Sequence, residues 1–361
     1  MKKLLRILSI IGITLLALIV AGVASFFILI VAGVSPKLQT IWICSAMKTM
    51  HHKYLATMFF SDDYINFVLE ENAVDDTDYD SHILSFKNET DEDSSKDTAN
   101  NGEASEMIGI SEEEVKYDYT LEGYTMLEED VYLKEVSGIT WRGYIMLVSD
   151  PLRVKLVDTS SQYSCGETVM MMVEGSGAIA GINGGGFQDG VNYDSNGGTP
   201  SGLIIENGNL VYPYSDDGTV YNMIGINDEG ALILRHCTAT WALENNIVSA
   251  VSFAPFLVVN GEGLVKQGSG GWGIAPRTAI GQRETGEFLL LVIDGRQVDW
   301  SIGCDLDVLQ QVMLEEDAYN AAMLDGGSST VMVYNGEFVN KPSLGFERYI
   351  NNCFVVTVKE D

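Results

Sequence analysis

Two glycine-rich turns carry the side chains best suited to chemistry. One is Asn183-Gly184-Gly185-Gly186-Phe187 and the other is Asp325-Gly326-Gly327-Ser328-Ser329-Thr330. Each lies between two short apolar runs, so each is expected where a strand ends. Glycine lets backbone N–H groups approach a ligand closely, and such a nest suits an anion such as phosphate. Either motif alone is more typical of a tight turn, but the matched pair favours one shared site.

Charged residues near these turns suit acid–base chemistry and phosphate binding. Asp294, like Asp325, follows an apolar run. Two carboxylates in one cleft can divide the general acid and the nucleophile or base roles of glycoside cleavage. Arg277, Arg296 and Arg348 are candidates to hold phosphate oxygens through paired N–H groups. Taken singly, each of these residues also fits a turn or a structural ion pair.

Other chemistries fit the sequence less well. It contains no Gly-x-Ser-x-Gly motif and no Gly-Lys-Ser/Thr phosphate loop. The adjacent His51 and His52 have no cluster of Cys, Asp or Glu nearby, which is typical of a surface pair. A serine hydrolase and a multi-histidine metal site are therefore disfavoured. Metal dependence stays open, because Asp294 and Asp325 could share a divalent cation, and no other cofactor is indicated.

Charge and cysteine content narrow the choice of partners. The net charge of −30 argues against nucleic acid and against attraction to anionic lipid. The five cysteines form no Cys-x-x-Cys pair, which disfavours a zinc knuckle. In an extracytoplasmic domain the last four could form up to two disulfides, and buried free thiols are an equal alternative. The sequence leaves a homo-oligomer open.

The first 34 residues predict a membrane anchor. Lys2, Lys3 and Arg6 precede an uncharged apolar run from Ile7 to Val34, longer than the roughly 20 residues that a bilayer requires. The apolar core of a secretory signal is only about 7–15 residues long, so an uncleaved anchor is favoured over a cleaved signal. The basic tip predicts a single-pass protein of the cell membrane with a cytoplasmic N-terminus. Lysines beyond the run weaken that orientation.

Three regions follow the anchor. Residues 35–60, the juxtamembrane segment, predict a mildly amphipathic helix. Residues 61–116 predict a largely disordered stalk, because residues 62–116 carry 18 Asp and Glu against three Lys. Residues 117–361 alternate short apolar runs with glycine turns, which indicates one α/β (mixed α+β) domain. We expect a mixed β-sheet core, a few helices, and hairpins at the Asn-Gly pairs.

The order of motifs in this domain predicts an internal duplication. An apolar strand, an aspartate, a helix, a short strand and a glycine turn run from Asp150 to Asn183. The same order runs from Asp294 to Asp325. Because identity between the two units is low, the duplication is a hypothesis. It predicts two glycine turns related by a pseudo-twofold axis and facing one cleft.

Four motifs follow one another along the chain: Asn183-Gly184-Gly185-Gly186-Phe187 with Thr199-Pro200-Ser201-Gly202 downstream, Pro276-Arg277-Thr278-Ala279-Ile280-Gly281, Val292-Ile293-Asp294-Gly295-Arg296, and Leu324-Asp325-Gly326-Gly327-Ser328-Ser329-Thr330. In this order they resemble the phosphodiester glycosidase family, over roughly residues 130–359. The sequence departs from the family pattern at Gly186 and Gln188, where Gly-Gly-Phe-Phe is expected, and at Ser328, where glycine is common.

The resemblance implies cleavage of the glycosyl–phosphate bond in a sugar-1-phosphodiester of a cell-surface or exopolysaccharide polymer. It implies that Asp294 and Asp325 are catalytic. It implies substrate or phosphate binding by Asn183, Gly184, Gly185, Arg277, Thr278, Arg296, Gly326, Gly327, Ser328, Ser329 and Arg348. A noncatalytic module that binds cell-wall glycan is the main alternative, since a fold does not determine function. A sugar-phosphotransferase is a third.

Overall fold

The computed structural model describes residues 2–49, 52–77, 79–85, 117–160, 164–189, 195–266 and 269–359. Within these ranges the chain forms seven α-helices and eighteen strands, and the strands make three sheets. The predicted α/β class with hairpins is confirmed. Every pair of strands described is antiparallel, where a mixed sheet was expected, and seven of the fifteen pairs are hairpins of consecutive strands.

Four helices form the N-terminal part. α1 contains a stretch, Arg6–Val31, with a mean hydropathy of 2.8 and only 6% burial. By length and composition this stretch can cross a membrane, and a signal sequence near an N-terminus has the same properties. The predicted juxtamembrane helix is two helices, because the chain leaves the helical conformation at Lys48. The helices are α1 (Lys2–Val31), α2 (Pro36–Met47), α3 (Tyr54–Thr57) and α4 (Asp62–Glu71).

The expectation of a largely disordered stalk is wrong for residues 62–77 and 79–85. α4 buries Ile65 and Val68 against α2 and α3. The carboxylate of Asp76 accepts a hydrogen bond from the Phe256 backbone N–H at 2.9 Å. The acidic composition of this segment did not predict the helix. Its two buried apolar positions lie at helical spacing, but acidic residues on the exposed face outnumber them. Residues 86–116 lie outside the described residues.

The largest sheet organises the domain. β14 is buried on both faces, so its residues are a continuous apolar run rather than an alternating one. On one face of this strand the side chains are Leu289, Leu291 and Ile293, which pack toward the layer that contains the last helix of the chain. On the other face, Leu290 and Val292 pack toward the other two sheets. In spatial order the sheet comprises β1 (Thr125–Glu128), β2 (Val131–Ser137), β3 (Arg142–Val148), β14 (Phe288–Ile293), β13 (Arg277–Arg283), β15 (Ala318–Met323), β11 (Phe256–Val259) and β12 (Glu262–Gly263).

Two five-stranded sheets pack against the first. The predicted Asn-Gly hairpins at Asn207, Asn260 and Asn335 are confirmed, and each of these asparagines has a positive φ of 48° to 53°. The second sheet is β7 (Asn209–Tyr212), β6 (Ile204–Glu206), β10 (Ile247–Ser252), β8 (Tyr221–Asn227) and β9 (Leu232–Cys237). The third sheet is β17 (Glu337–Phe338), β16 (Met332–Tyr334), β5 (Ala180–Asn183), β18 (Asn352–Val356) and β4 (Val154–Asp158).

Three helices cover the sheets: α5 (Val169–Ser176), α6 (Ala239–Glu244) and α7 (Leu306–Glu315). The carboxylate of Asp305 caps α7 by accepting from the Val308 N–H at 3.1 Å. The inward face of α7 includes Leu309 and Met313, which lie at helical spacing. In α5 Met172 is buried, whereas Met171 is 49% exposed.

The strand order contradicts the predicted internal duplication. In the C-terminal unit β14 and β15 both belong to the eight-stranded sheet. Their counterparts in the first unit, β3 and β5, belong to different sheets. The similar order of motifs therefore does not reflect a repeated fold, and no pseudo-twofold axis relates the two turns.

Candidate active site

The two glycine turns nevertheless meet, as the sequence predicted. After β15 the chain passes through Asp325 into β16, which pairs with β5. This crossing between sheets brings Asp325 beside the end of β5. The Asp325 N–H donates to the Gly184 carbonyl at 3.0 Å, and the Asn183 side-chain amide donates to the Asp325 carbonyl at 2.5 Å.

Asn183 joins three elements rather than facing a ligand. Its side chain is 1% exposed. Its amide oxygen accepts hydrogen bonds from the Thr278 hydroxyl at 2.7 Å and from the Val331 N–H at 3.2 Å. With the bond to the carbonyl of Asp325, this amide holds β13, β5 and the second turn together. Asn183 and Thr278, both implied as ligand contacts, are therefore positioned as supports.

The first two glycines of the turn allow close packing. A Cβ on Gly184 would lie 2.1 Å from the side-chain oxygen of Asn352. A Cβ on Gly185 would lie 3.0 Å from Val251. Their N–H groups donate to the backbone and side-chain oxygens of Asn352 at 3.1 Å and 2.7 Å. Because both amides are already engaged, the predicted anion nest at Gly184 and Gly185 is not available to a ligand.

Beside the turns lies a cavity of about 470 Å³, within the range of roughly 300–1,000 Å³ that is usual for small-molecule sites. Asp325 lines it together with three aromatic side chains, Phe187, Phe253 and Trp272. The rings of Phe253 and Trp272 are 6.1 Å apart at an interplanar angle of 41°. The other lining residues are Met47, Lys48, Thr49, Lys53, Gly186, Asp189, Ser201, Ala275, Arg277, Arg296, Gly326, Gly327, Ser328, Ser329 and Arg348.

The cavity carboxylate of Asp325 has a perturbed pKa. Burial raises the pKa of this carboxyl to about 6, and the charge of Asp189 adds to the rise. A hydrogen bond from the Ser329 hydroxyl and the charge of Arg348 oppose the rise. A carboxyl with a pKa near neutrality suits proton transfer. Asp325 therefore has the electrostatic properties of a catalytic acid or base.

Two cavity arginines have no carboxylate partner among the described residues. Arg277 is 3% exposed, and its guanidinium donates to the carbonyls of Trp272 at 2.9 Å, Gly273 at 2.6 Å and Cys304 at 3.3 Å. Burial lowers its pKa to about 10. Arg296 forms no side-chain hydrogen bond with the described part of the chain. Both are suited to hold an anionic group.

The third cavity arginine is already paired. Arg348 donates to both carboxylate oxygens of Asp189 at 2.8 Å and 3.2 Å. Its guanidinium lies 4.6 Å from the ring centroid of Phe187 and 3.4 Å from the Ser328 hydroxyl. This fork geometry fixes Arg348 at the cavity wall. Arg348, which was predicted to bind phosphate, thus already forms a structural ion pair with Asp189.

The second turn forms the base of the cavity. Gly327 has a φ of +63°, which glycine adopts without strain, and its N–H donates to the Pro276 carbonyl at 2.9 Å. A Cβ at this position would lie 3.1 Å from the Arg296 guanidinium. Gly326, Ser328 and Ser329 line the same cavity. Sequence reasoning had placed all four residues of this turn at the site.

Asp294 lies outside the cavity. One of its carboxylate oxygens accepts from the Trp300 indole N–H at 2.7 Å. The other accepts from the Asn340 amide at 2.9 Å and from the Lys341 N–H at 3.0 Å. The side chain is 1% exposed, and burial is the main cause that raises its pKa. These contacts give Asp294 a supporting role near Arg296, in contrast to the catalytic role that was expected.

Several cavity residues escaped sequence reasoning. Asp189 follows the first turn by two positions and was accessible to the same argument. Phe253 and Trp272 lie in loops outside the four sequence motifs. For Lys48 and Lys53 the sequence indicated only an effect on the orientation of the membrane anchor. Their place at the cavity depends on how the N-terminal helices pack on the domain, which spacing along the chain does not encode.

The described residues contain no group of three or more His, Cys, Asp or Glu side chains that could hold a metal ion. A cation shared by Asp294 and Asp325 does not fit this geometry, because both oxygens of Asp294 are occupied by donors. Of the four cysteines for which disulfides were considered, three, Cys237, Cys304 and Cys353, are buried free thiols.

The family model for phosphodiester glycosidases (NAGPA) matches residues 176–357, half of the chain. The chain belongs to the phosphodiester glycosidase family. The matched region contains β5, β15, both glycine turns and the cavity residues of the domain. The cavity residues of the juxtamembrane segment precede the matched region.

Known relatives agree with this membership. SPbeta prophage-derived uncharacterized protein YomE of Bacillus subtilis strain 168 is 27% identical over 218 residues, which are 57% of this chain and 32% of that protein. The N-acetylglucosamine-1-phosphodiester alpha-N-acetylglucosaminidase of Mus musculus is 25% identical over 235 residues, which are 59% of this chain and 43% of that protein. The chain thus spans less than half the length of these curated relatives.

A solved structure shares the fold. It is the catalytic domain of zebrafish N-acetylglucosamine-1-phosphodiester alpha-N-acetylglucosaminidase, described as auto-inhibited by its pro-peptide. The match has a TM-score of 0.53 and 24% sequence identity, and it covers 63% of this chain and 82% of that one. At this identity the likeness supports the fold, and the reaction is argued from the site.

Proposed function

We propose that this protein hydrolyses the glycosyl–phosphate bond of a sugar-1-phosphodiester. The observation that carries the proposal is the combination, in one cavity, of a carboxyl with a pKa of about 6 and two arginines for which the described residues provide no carboxylate partner. Asp325 is that carboxyl, and Arg277 and Arg296 are those arginines. The relatives named for glycosidase activity on N-acetylglucosamine phosphodiesters support the same substrate class.

The two arginines and the carboxylate have different roles in the proposed reaction. Arg277 and Arg296 bind the phosphate and stabilise the negative charge that develops on it as the glycosyl bond breaks. A phosphate is a good leaving group, so it needs little help from a general acid. Asp325 is ionised at neutral pH because its pKa lies near 6. It therefore acts on the anomeric carbon, either by activating a water or as the nucleophile.

The aromatic side chains form the sugar site. Trp272 and Phe253 offer apolar faces on which the hydrophobic side of a pyranose ring can pack. Arg348 and Asp189 supply polar groups to the same cavity, together with Ser201. Such a combination of apolar walls and a few placed polar groups is what orients a small ligand in a binding cavity.

We infer from the N-terminal helix that this activity is located at a membrane. α1 is long and apolar enough to span a bilayer, and the basic residues before it favour a cytoplasmic N-terminus. The domain would then face the cell exterior, where sugar-1-phosphodiesters occur in surface polymers and exopolysaccharides. The negative charge of the chain agrees with a partner other than nucleic acid or anionic lipid.

Turnover of a defined substrate tests the proposal. The full chain in detergent is assayed for free sugar released from N-acetylglucosamine-1-phosphodiester substrates. Asp325→Asn should lose about 10²- to 10⁴-fold in kcat, the usual contribution of an acid–base group. Asp228→Asn, an exposed aspartate in the turn between β8 and β9, is the matched control and should retain full activity.

Three results would contradict the proposal. Retention of the polymer without sugar release would instead identify a noncatalytic glycan-binding module. Product that forms only with an added acceptor would identify a sugar-phosphotransferase. Full activity of Asp325→Asn would remove this carboxylate from the mechanism. Asp294→Asn should act differently from Asp325→Asn, by lowering thermal stability, because the amide cannot accept all three hydrogen bonds.

A further inference from the structure

The juxtamembrane segment forms one wall of the candidate active site. Met47, Lys48, Thr49 and Lys53 line the same cavity as Asp325. These residues lie at the end of α2 and in the loop before α3, more than a hundred positions before the family match begins. The cavity of this chain is therefore completed by a segment that the family domain does not include.

This wall is attached to the domain by specific contacts. The Ser45 hydroxyl accepts a hydrogen bond from the Ile274 N–H at 2.9 Å. Gly273, with a φ of +62°, passes so close that a Cβ would lie 2.3 Å from the Ser45 nitrogen. Arg277 donates to the Gly273 carbonyl in the same loop. The wall and the phosphate-binding arginine therefore share one support.

Lys48 brings into the cavity a positive charge that forms no ion pair within the described part of the chain. Its ammonium lies 4.0 Å from the ring centroid of Trp272, within the range of a cation–π contact. It forms no hydrogen bond or ion pair with the described residues. Partial burial and the nearby charge of Arg277 lower its pKa. A group held in this way gains most from an anionic ligand.

The charges that line the cavity exceed what one phosphodiester can neutralise. Five cationic side chains line it: Lys48, Lys53, Arg277, Arg296 and Arg348. The two carboxylates are Asp189 and Asp325. Lys48 and the three arginines exceed the two carboxylates, when both are ionised, by two positive charges, in a chain whose net charge is −30. A single phosphodiester carries one negative charge, so at least one further anionic group of the ligand is expected.

We propose that Lys48 and the wall around it form a subsite for a second phosphate of the substrate. The preferred substrate is then an oligomer of glycosyl phosphates, with the phosphate of the scissile bond at Arg277 and Arg296 and the neighbouring phosphate at Lys48. This inference rests on the proposed function, because it takes the phosphate at the two arginines as that of the reacting bond.

Two synthetic probes test the subsite on the full chain in detergent. One probe is a methyl phosphodiester of N-acetylglucosamine-1-phosphate with a single phosphate. The other is the tandem dimer with two phosphodiesters. Lys48→Gln should lower kcat/KM for the dimer about tenfold, mainly through KM, and should lower it by clearly less for the single-phosphate probe. Lys48→Arg should retain most of the preference. Lys37→Gln, an exposed lysine of α2 outside the cavity, is the matched control.

Equal losses on both probes, or no loss on either, would overturn the subsite. An increase in activity on substitution would also overturn it, since the wall would then obstruct the site. Equilibrium binding of the probes separates this proposal from the hydrolytic function. If neither probe is cleaved, the proposed function fails. The subsite is then supported by tighter binding of the dimer that Lys48→Gln removes, and refuted if the two probes bind equally to the unsubstituted chain.

Discussion

The raised pKa of Asp325 predicts that removal of its charge stabilises the fold. The perturbation is Asp325→Asn, which keeps the size of the side chain and its ability to accept from Ser329. In the folded protein burial raises the pKa of this carboxyl from its ordinary 3.8 to about 6. The unfolded chain has the ordinary value. Ionisation above pH 6 is therefore penalised only in the folded state.

The difference between 3.8 and about 6 corresponds to about 3 kcal/mol, at about 1.4 kcal/mol for each pKa unit. The sign follows from the direction of the shift. The stability associated with this group is fully present below pH 4 and is lost as the pH rises through 6. About 2 kcal/mol of the loss falls between pH 4.5 and 7.5. Cavity water that reaches the carboxylate makes these values upper limits.

Thermal unfolding of the two full chains, followed by tryptophan fluorescence from pH 4.5 to 7.5, measures this difference. Relative to the unsubstituted protein, Asp325→Asn should gain about 4–8 °C in Tm across the range, from about 2–4 °C per kcal/mol for a domain of this size. Asp228→Asn should follow the unsubstituted protein at every pH. A Tm difference between Asp325→Asn and the unsubstituted protein that does not change with pH would refute the raised pKa.

Two further predictions concern the turns and the arginines. Gly184→Ala should destabilise the fold by about 1–3 kcal/mol, because its Cβ would lie 2.1 Å from the Asn352 oxygen. Gly175→Ala in α5, where nothing lies within 4 Å, should instead gain about 0.5–1 kcal/mol in chemical denaturation. Arg348→Ala should raise the pKa of Asp325, because the guanidinium charge opposes that rise. The acid limb of the pH–rate profile should move to higher pH, and an unmoved limb would separate the two groups.

Patterns that depend on neighbours in the sequence predicted the local structure well. The buried face of α7 consists mainly of apolar residues at helical spacing. The Asn-Gly hairpins followed from residues that tolerate positive φ. The prediction of local structure failed at α4, where two buried residues lie in an acidic segment. The amino-acid composition describes all faces of a helix together, whereas burial involves only the face that packs against the rest of the protein.

The site was predicted in part for the same reason. Both glycine turns were located from strand ends, and they do meet in one place. The choice between Asp294 and Asp325 was not accessible to sequence reasoning. Both follow apolar strands, but donors from Trp300, Asn340 and Lys341 surround the first, while the second lines the cavity.

The sequence by itself determined the apolar N-terminal helix, the α/β domain, the two glycine turns and the family to which they belong. These properties depend on residue type and on short spacing, which the chain carries locally. The tertiary structure alone decided that Asn183 is a support, that Asp325 rather than Asp294 faces the cavity, and that Lys48 completes the wall. Each of those outcomes depends on contacts between segments far apart in the chain, and such contacts form only when the sheets and helices pack.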